Sequence, residues 1–427
     1  MLRIIAVVMV MAAVLLAGLS GSYVLPLDHE AIQYETTPVT DVAWRLQQKI
    51  DRGEVTLRFD PEWGYLPAVL DALKVSRTSQ MVVFTKTSLQ APRISPRNPR
   101  AIYFNDTVSV GWVPTGEVVE IAAHDPKQGV IFYTIDQVEV PKPRVKRRDD
   151  CLQCHATGAT LGVPGLVVRS VYPEPTGMPL FQAGGFVSDH RSPLKERWGG
   201  WYVTGQHGDQ RHLGNAFARD REHPTKLDTE NTQNVTDLKS RFDTGAFLTG
   251  HSDIVALMVL EHQTHMINLI TRVGFETRMA LHSQELMNRL LKEPADTVSE
   301  STERRILSAC EEMVDYLLFL EETPLTSPIQ GSSQFTEVFA RQGRLRQFDL
   351  RTRLFRIPLS YMIESAAFRA LPPTALARIE RRLLTILDSH DAKYNRLSTE
   401  DRRNIREVVN ALPWPAASKT LAKTVEK

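Results

Sequence analysis

The chain is poor in cysteine, with three in 427 residues. That is too few for the disulfide framework that staples small secreted domains. It lacks a charge excess of either sign: 51 Lys and Arg face 50 Asp and Glu, so no global field draws nucleic acid to it. It has no internal repeat and no low-complexity block, which sets aside solenoid arrays and biased disordered tracts. Long apolar runs are missing as well, with one exception at the start. Ile4 to Leu19 is unbroken by charge, yet at about 16 residues it falls short of the ~20 that span a bilayer comfortably.

That run has the layout of an export signal. Met1-Leu2-Arg3 is a short basic start, and Ser20-Gly21-Ser22 is small enough for signal peptidase. Residues 1–22 are therefore expected to be a signal peptide. An uncleaved N-terminal anchor through residues 4–19 is the alternative, and the one source of membrane contact. No cysteine closely follows the run, which argues against a lipoprotein. Either way the bulk of the chain is expected to be periplasmic or otherwise extracytoplasmic. About 405 residues remain after cleavage, enough for two or three domains.

Residues 23–140 read as an α+β domain. Val42 to Ile50 and Tyr65 to Val75 suit short helices. Met81 to Phe84, Ala101 to Phe104, Val108 to Val113, Val118 to Ala122 and Val130 to Thr134 are short β-branched or aromatic runs, punctuated by Gly, Pro, Asn and Asp. This is the pattern of short antiparallel strands, and residues 125–129 fit the hairpin between the last two. Residues 141–250 are expected to form one cofactor-attachment segment, in which 156–250 are rich in Gly, Pro, His, Arg and aromatics with little sustained periodicity; loops of this length are uncommon unless they do something, such as wrap a cofactor. Residues 251–415 read as a helical domain. Its helices are Ile254 to Leu291 (with a break expected near Gly274), Glu303 to Leu320, Pro358 to Ala370, Ala375 to Leu387 and Glu400 to Ala411. Pro373, Ser398 and Pro413 stand at starts and stops. Cys310 is expected to be a small buried apolar residue, and residues 416–427 a disordered tail.

The other two cysteines stand in Cys151-Leu152-Gln153-Cys154-His155. At this composition chance gives such a pentapeptide on the order of a few times in ten thousand chains. Cys-x-x-Cys-His is the attachment signature of c-type haem. Each thiol forms a thioether to one vinyl group, and the adjacent histidine supplies an axial nitrogen to the iron. The main rival is zinc, for which Cys-x2-Cys is half of a Cys2His2 site, with His207 and His212 at a permitted spacing. Those histidines lie far beyond the separation of a finger-type site, and zinc does not require a histidine directly after the second cysteine. A thioredoxin-like pair lacks a preceding βαβ context. The expected cofactor is one covalent haem c, bound through Cys151 and Cys154, with His155 as proximal axial ligand. The basic stretch of Arg144, Lys146, Arg147 and Arg148 is either a solvated linker or a set of cations that neutralise haem propionates or steer an acidic redox partner.

The pentapeptide resembles that of c-type cytochromes generally. Over roughly residues 75 to 415 the sequence is similar to an uncharacterised bacterial family of large monohaem proteins described only as containing a cytochrome c motif. Asp189-His190-Arg191-Ser192-Pro193 and Arg197-Trp198-Gly199-Gly200-Trp201-Tyr202-Val203-Thr204-Gly205 carry that similarity best. The resemblance implies a covalent haem at Cys151, Cys154 and His155, and no known substrate. The chain is several times larger than small cytochromes c and lacks their helix–motif–helix layout.

The second axial position decides the chemistry: methionine raises the potential, a second histidine lowers it, and an open face admits ligands. Met178, in Met-Pro-Leu-Phe, and His212 are the distal candidates. His190 and His207 flank them in the same irregular segment. His262 and His265 lie on an apolar helical stripe with Met258, Leu269 and Val273, where buried histidines bonded to a carbonyl are the ordinary outcome. Trp198, Trp201 and Tyr202 are core aromatics or shields of a haem edge. The expected function is one-electron transfer by an extracytoplasmic monohaem c-type cytochrome, with an unknown redox partner protein, the cytochrome c maturation machinery and no nucleic acid as partners. The alternative is a haem c enzyme or small-ligand sensor with an open distal iron site.

Overall fold

The computed structural model describes residues 24–389 and 391–415. The expected signal or anchor and the expected tail lie outside the described residues. The expected α+β class holds: a seven-stranded antiparallel sheet is combined with a helical C-terminal region.

In chain order the elements are α1 (Val42–Asp51), α2 (Leu66–Ala72), β1 (Met81–Val83), β2 (Arg100–Phe104), β3 (Val108–Trp112), β4 (Val118–Asp125), β5 (Gly129–Asp136), β6 (Lys146–Arg147), α3 (Leu152–His155), β7 (Arg169–Val171), β8 (Gly185–Val187), β9 (Trp201–Tyr202), β10 (Gly205–Gln206), α4 (Ile254–Leu291), α5 (Glu300–Leu317), β11 (Gln330–Gly331), α6 (Phe335–Ala340), α7 (Ala366–Arg369), α8 (Pro373–Asp388) and α9 (Thr399–Ala411). The sheet order is β6-β5-β4-β3-β2-β1-β9. All five expected strands are present. The strand β9 had no legible signal, because two residues carry no period.

Alternation sorts the strand side chains onto two faces. Val82, Tyr103, Val110, Val119, Ile121, Ala123, Ile131 and Tyr133 pack with α1 and α2 in one core. Met81, Val83, Phe104, Val130 and Phe132 point the other way, into a core shared with Trp198, Trp201 and the C-terminal helices. Each fully buried Val, Leu, Ile, Phe or Met is worth about 1.5–3 kcal/mol. Both cores draw on residues on either side of the expected domain boundaries, so the three segments share cores.

The central helix α4 starts where Asp253 accepts hydrogen bonds from the Val255 and Ala256 amides, and almost every residue from Ile254 to Thr271 is buried. A helix apolar on all sides belongs in an interior. The expected break at Gly274 is absent: a Cβ there would meet nothing closer than Leu371 at 3.5 Å, so the site is an ordinary helical position. The expected helix over 358–370 is instead a 3-10 turn (Tyr361–Glu364) followed by α7. Ser360 and Ser365 cap these two short pieces in turn, which breaks the segment. Pro373 opens α8, and Ser398 with Asp401 forms a capping box on α9, as their positions suggested. Cys310 is buried as expected.

Candidate haem site

The hairpin of β5 with β6 delivers the chain to the motif. Tyr133 pairs with Arg147, and the Arg148 amide donates to the Phe132 carbonyl at 2.8 Å. A single helical turn follows. Positions 151, 154 and 155 are related as i, i+3 and i+4, so both thiols and the imidazole share one side. Leu152 packs against both cores and Cys151 against the one that holds Phe132, which leaves Cys154 at the outer end of the turn. Cys151 is half-buried, Cys154 is exposed, and both are free thiols. Burial pushes the Cys151 thiol up to about 11.

The His155 ring is held from two directions. It lies on Phe132, with centroids 4.7 Å apart, and its Nδ1 is 2.9 Å from the Gly165 carbonyl oxygen. A carbonyl only accepts, so Nδ1 carries the proton and Nε2 keeps its lone pair. Burial lowers the pKa of His155, so the ring is neutral at pH 7. A neutral imidazole with Nδ1–H bonded to a backbone carbonyl is the usual state of a metal-ligating histidine.

The loop after the motif is tight. Leu161 and Gly162 both have left-handed backbone, with φ of 58° and 75°, and the Gly165 amide returns to the His155 carbonyl at 2.9 Å. Asn268 of α4 pins the next residue, accepting from the Leu166 amide at 3.0 Å and donating to its carbonyl at 2.7 Å. A Cβ on Gly165 would stand 2.1 Å from Asn268 Oδ1, so no larger residue fits.

Beside His155 the centre of the sheet is left partly open. Register places Ile102, Gly111 and Glu120 in one row, and Ser109, Ala122 and Phe132 in the next, all on the α4 side. Ile102, Ser109, Glu120 and Ala122 are only half-buried, although they sit on central strands, where helices normally cover the face. Leu152 and Leu166, at its border, are half-buried too. The Arg100 guanidinium lies across Gly111, where a Cβ would be 2.3 Å from Nη2, and is bonded to Glu120. Phe132, Gly111, Arg100, Glu120, Gly165 and Asn268 were not foreseen. Phe132 and Gly165 touch His155 and the others lie around them, through contacts between separate elements that no local pattern encodes.

The distal candidates are not brought to His155. Met178 is 48% exposed on a turn tied to the end of β1, where the Lys86 amide donates to the Gly177 carbonyl. Phe132 lies on β5, four strands from β1, roughly 19 Å at about 4.8 Å per strand. His212 is buried against His207, with centroids 4.8 Å apart, and against Trp198 at 5.5 Å, beyond β9 at the opposite edge. His207 Nε2 accepts from the Asn234 amide at 3.0 Å. Tyr202 and Trp201 are core residues on the two faces of the sheet, and the Trp201 indole donates to the Arg169 carbonyl. The linker cations are largely spent: Lys146 pairs with Asp136, Arg147 with Asp149 and Arg148 with Asp150.

His190, His262 and His265 form a buried polar network around Tyr316. His190 Nδ1 is 2.8 Å from His262 Nδ1, and His262 Nε2 is 2.7 Å from Ser360 Oγ. Tyr316 stacks on His190 at 4.1 Å. Arg197 bonds Glu261 at 3.1 Å, and Ser188 donates to Glu261 at 2.6 Å. Burial lowers His262 to about 3 and His265 to about 4, and raises Glu261 to about 7 despite Arg197. The Ser360–His262–His190 series resembles a hydroxyl–imidazole relay, yet Ser360 and His262 are both 0% exposed, so no substrate reaches it. The Asp189-His190-Arg191 and Arg197 motifs thus serve the interior. A separate cavity of about 320 Å³ lies between Phe104, Phe335 and Phe339; its Asn105 is fully bonded locally and its Asp106 is held by Arg346.

Among the described residues no group of three or more His, Cys, Asp or Glu is assembled to hold a metal ion, so the Cys2His2 arrangement is not formed. No helix among them is long and apolar enough to cross a membrane. The chain matches no family model, no curated protein and no solved structure. What the site can do therefore rests on its own residues. Two free thiols, one exposed and one half-buried, and an imidazole with a free Nε2 fit a macrocycle that takes two thioethers and one protein nitrogen.

Proposed function

We propose that this chain is an extracytoplasmic monohaem c-type cytochrome that transfers single electrons. The observation that carries the reading is the state of His155: Nδ1–H on the Gly165 carbonyl, Nε2 free, and both thiols of the motif on the same side. Cys151 and Cys154 would hold the group, each thiol adding across one vinyl so that a C–S bond forms and the hydrogen goes to the other vinyl carbon. When bound, haem supplies a one-electron Fe(III)/Fe(II) couple. Phe132 and Gly165 fix the plane of the His155 ring. Ile102 and Ala122 exclude water from the sheet side, and the exposed flank at Cys154 leaves an edge for a redox partner protein. The export-type start of the sequence supports attachment by the maturation machinery outside the cytoplasm. A reversible one-electron titration of the reduced-minus-oxidised spectrum tests this; a spectrum that does not change with potential would sink it.

A second reading, a haem c enzyme or small-ligand sensor with an open distal site, is favoured by the placement of Met178 and His212 away from His155. Carbon monoxide separates the two. Rapid binding to the reduced protein supports the open site, and a low-spin spectrum indifferent to the gas removes it.

A further inference from the structure

The cavity between Phe104, Phe335 and Phe339 takes no part in the haem reading. At about 320 Å³ it falls in the size range of small-molecule sites. Its floor is aromatic: the Phe335 ring lies 5.7 Å from Phe104 and 5.3 Å from Phe339, centroid to centroid. Two of its acceptors are already engaged. Asn105 Oδ1 accepts from the Thr107 and Val108 amides and from the Thr107 hydroxyl, and Asp106 is held by Arg346 through both oxygens. Two of its donors are not engaged. Ser76 Oγ and Thr78 Oγ1 lie 2.8 Å apart, and Ser76 Oγ also accepts from the Thr78 amide at 3.3 Å. This pair shares one hydrogen, so whichever hydroxyl donates, the other keeps a hydrogen with no acceptor. Lys74 lines the same cavity, is exposed, and has no ion pair or side-chain hydrogen bond among the described residues.

Lys74 also stands where a lysine costs stability. It follows α2 with left-handed backbone, at φ 56°, and the Val75 amide closes the helix end on the Leu70 carbonyl at 2.8 Å. Glycine is the usual residue at such a position, because a Cβ disfavours that backbone. Asn105 holds the turn by donating to the Leu73 and Lys74 carbonyls. A cation kept at this position, beside an aromatic floor and an unspent hydroxyl, matches an anion with an apolar body. A compact ammonium on a flexible stem suits a single carboxylate at the mouth. We propose that the cavity binds a small aromatic carboxylate, its rings against Phe104, Phe335 and Phe339 and its carboxylate on Lys74 and the Ser76–Thr78 pair. The site is independent of the haem reading.

The test titrates the full-length protein with naphthoate by isothermal calorimetry, beside naphthol, which has the same rings and no carboxylate. Naphthoate should bind saturably, one per chain, and about tenfold more tightly than naphthol, the worth of a charge-assisted hydrogen bond. Lys74→Gly should melt no lower than the wild type and lose that preference. Lys74→Gln keeps a side chain on the left-handed backbone and should lose the preference as well. Val338→Trp, on the half-buried wall of the cavity, should weaken both probes by filling the space. Equal affinities for naphthoate and naphthol in the wild type, or a preference that survives in both Lys74 variants, overturn the assignment. So do a wild-type protein that binds neither probe and unchanged affinities in Val338→Trp. Haem content does not enter these readouts, so failure of the haem reading leaves the test standing.

Discussion

The two faces of the sheet are built from the same strands but finished differently. On the N-terminal side, α1 and α2 seal the surface: Val119, Ile121 and Ala123 are at most 2% exposed. On the α4 side the flanks are sealed as well, but Ile102, Ser109, Glu120 and Ala122 stay half-buried beside the Cys151–His155 turn. Neighbouring residues of one strand, Ala122 and Ala123, thus face opposite circumstances. Side chains left half-buried on central strands forgo burial worth of order 25 cal/mol per Å². Cys151 and His155, through Phe132, lie at the margin of this half-buried stretch.

Acid should break the α4 side by the largest margin. His262, His265 and His124 are buried neutral, with pKa values lowered to about 3, 4 and 4. For a base lowered on folding, the stabilising contribution is complete above the unfolded value near 6.5 and is lost as pH falls toward the folded value. Each is worth about 3 kcal/mol or more at 1.36 kcal/mol per unit. Glu261 has the opposite sign: raised from 4.5 to about 7, it loses about 3 kcal/mol as pH rises through that window. Three histidines against one glutamate predict a net loss of several kcal/mol between pH 6.5 and 4. Urea unfolding at the two pH values measures it, and equal midpoints would remove the desolvated histidines from the account.

Single substitutions sharpen the contrast. Ala123→Phe should cost about 3 kcal/mol by overpacking the sealed face, while Ala122→Phe should cost under about 1 kcal/mol in haem-free protein and yet block haem attachment. Similar losses from the two would mean that the faces do not differ. Gly111→Ala should cost about 1 kcal/mol, because the Cβ meets only the flexible end of Arg100. Met178→Leu should change stability by less than about 0.5 kcal/mol and leave the visible spectrum as it was. Loss of a low-spin spectrum in that variant would place its sulfur on the iron after all.

The sequence disclosed what is local. Strand alternation, the caps at Ser398 and Pro373, and the motif of Cys151, Cys154 and His155 are each written within a few residues. The irregular segment was harder, because proximity in sequence stood in for proximity in space: Met178 is 23 positions from His155 yet four strands away. The partner of His190 is His262, 72 positions on. The open floor is assembled from β2, β3 and β4, with Arg100 over Gly111, and no periodicity announces a face that is left uncovered. The signal segment, read from composition alone, has no structural counterpart among the described residues.

The most direct test of covalent haem is the alkaline pyridine haemochrome spectrum of the full-length protein produced with an export-side maturation system. The account predicts one c-type haem per chain that resists acid–acetone extraction and is lost when Cys151 and Cys154 are both changed to alanine. A protein with no haem, or with haem that extracts freely and survives that double substitution, would contradict it.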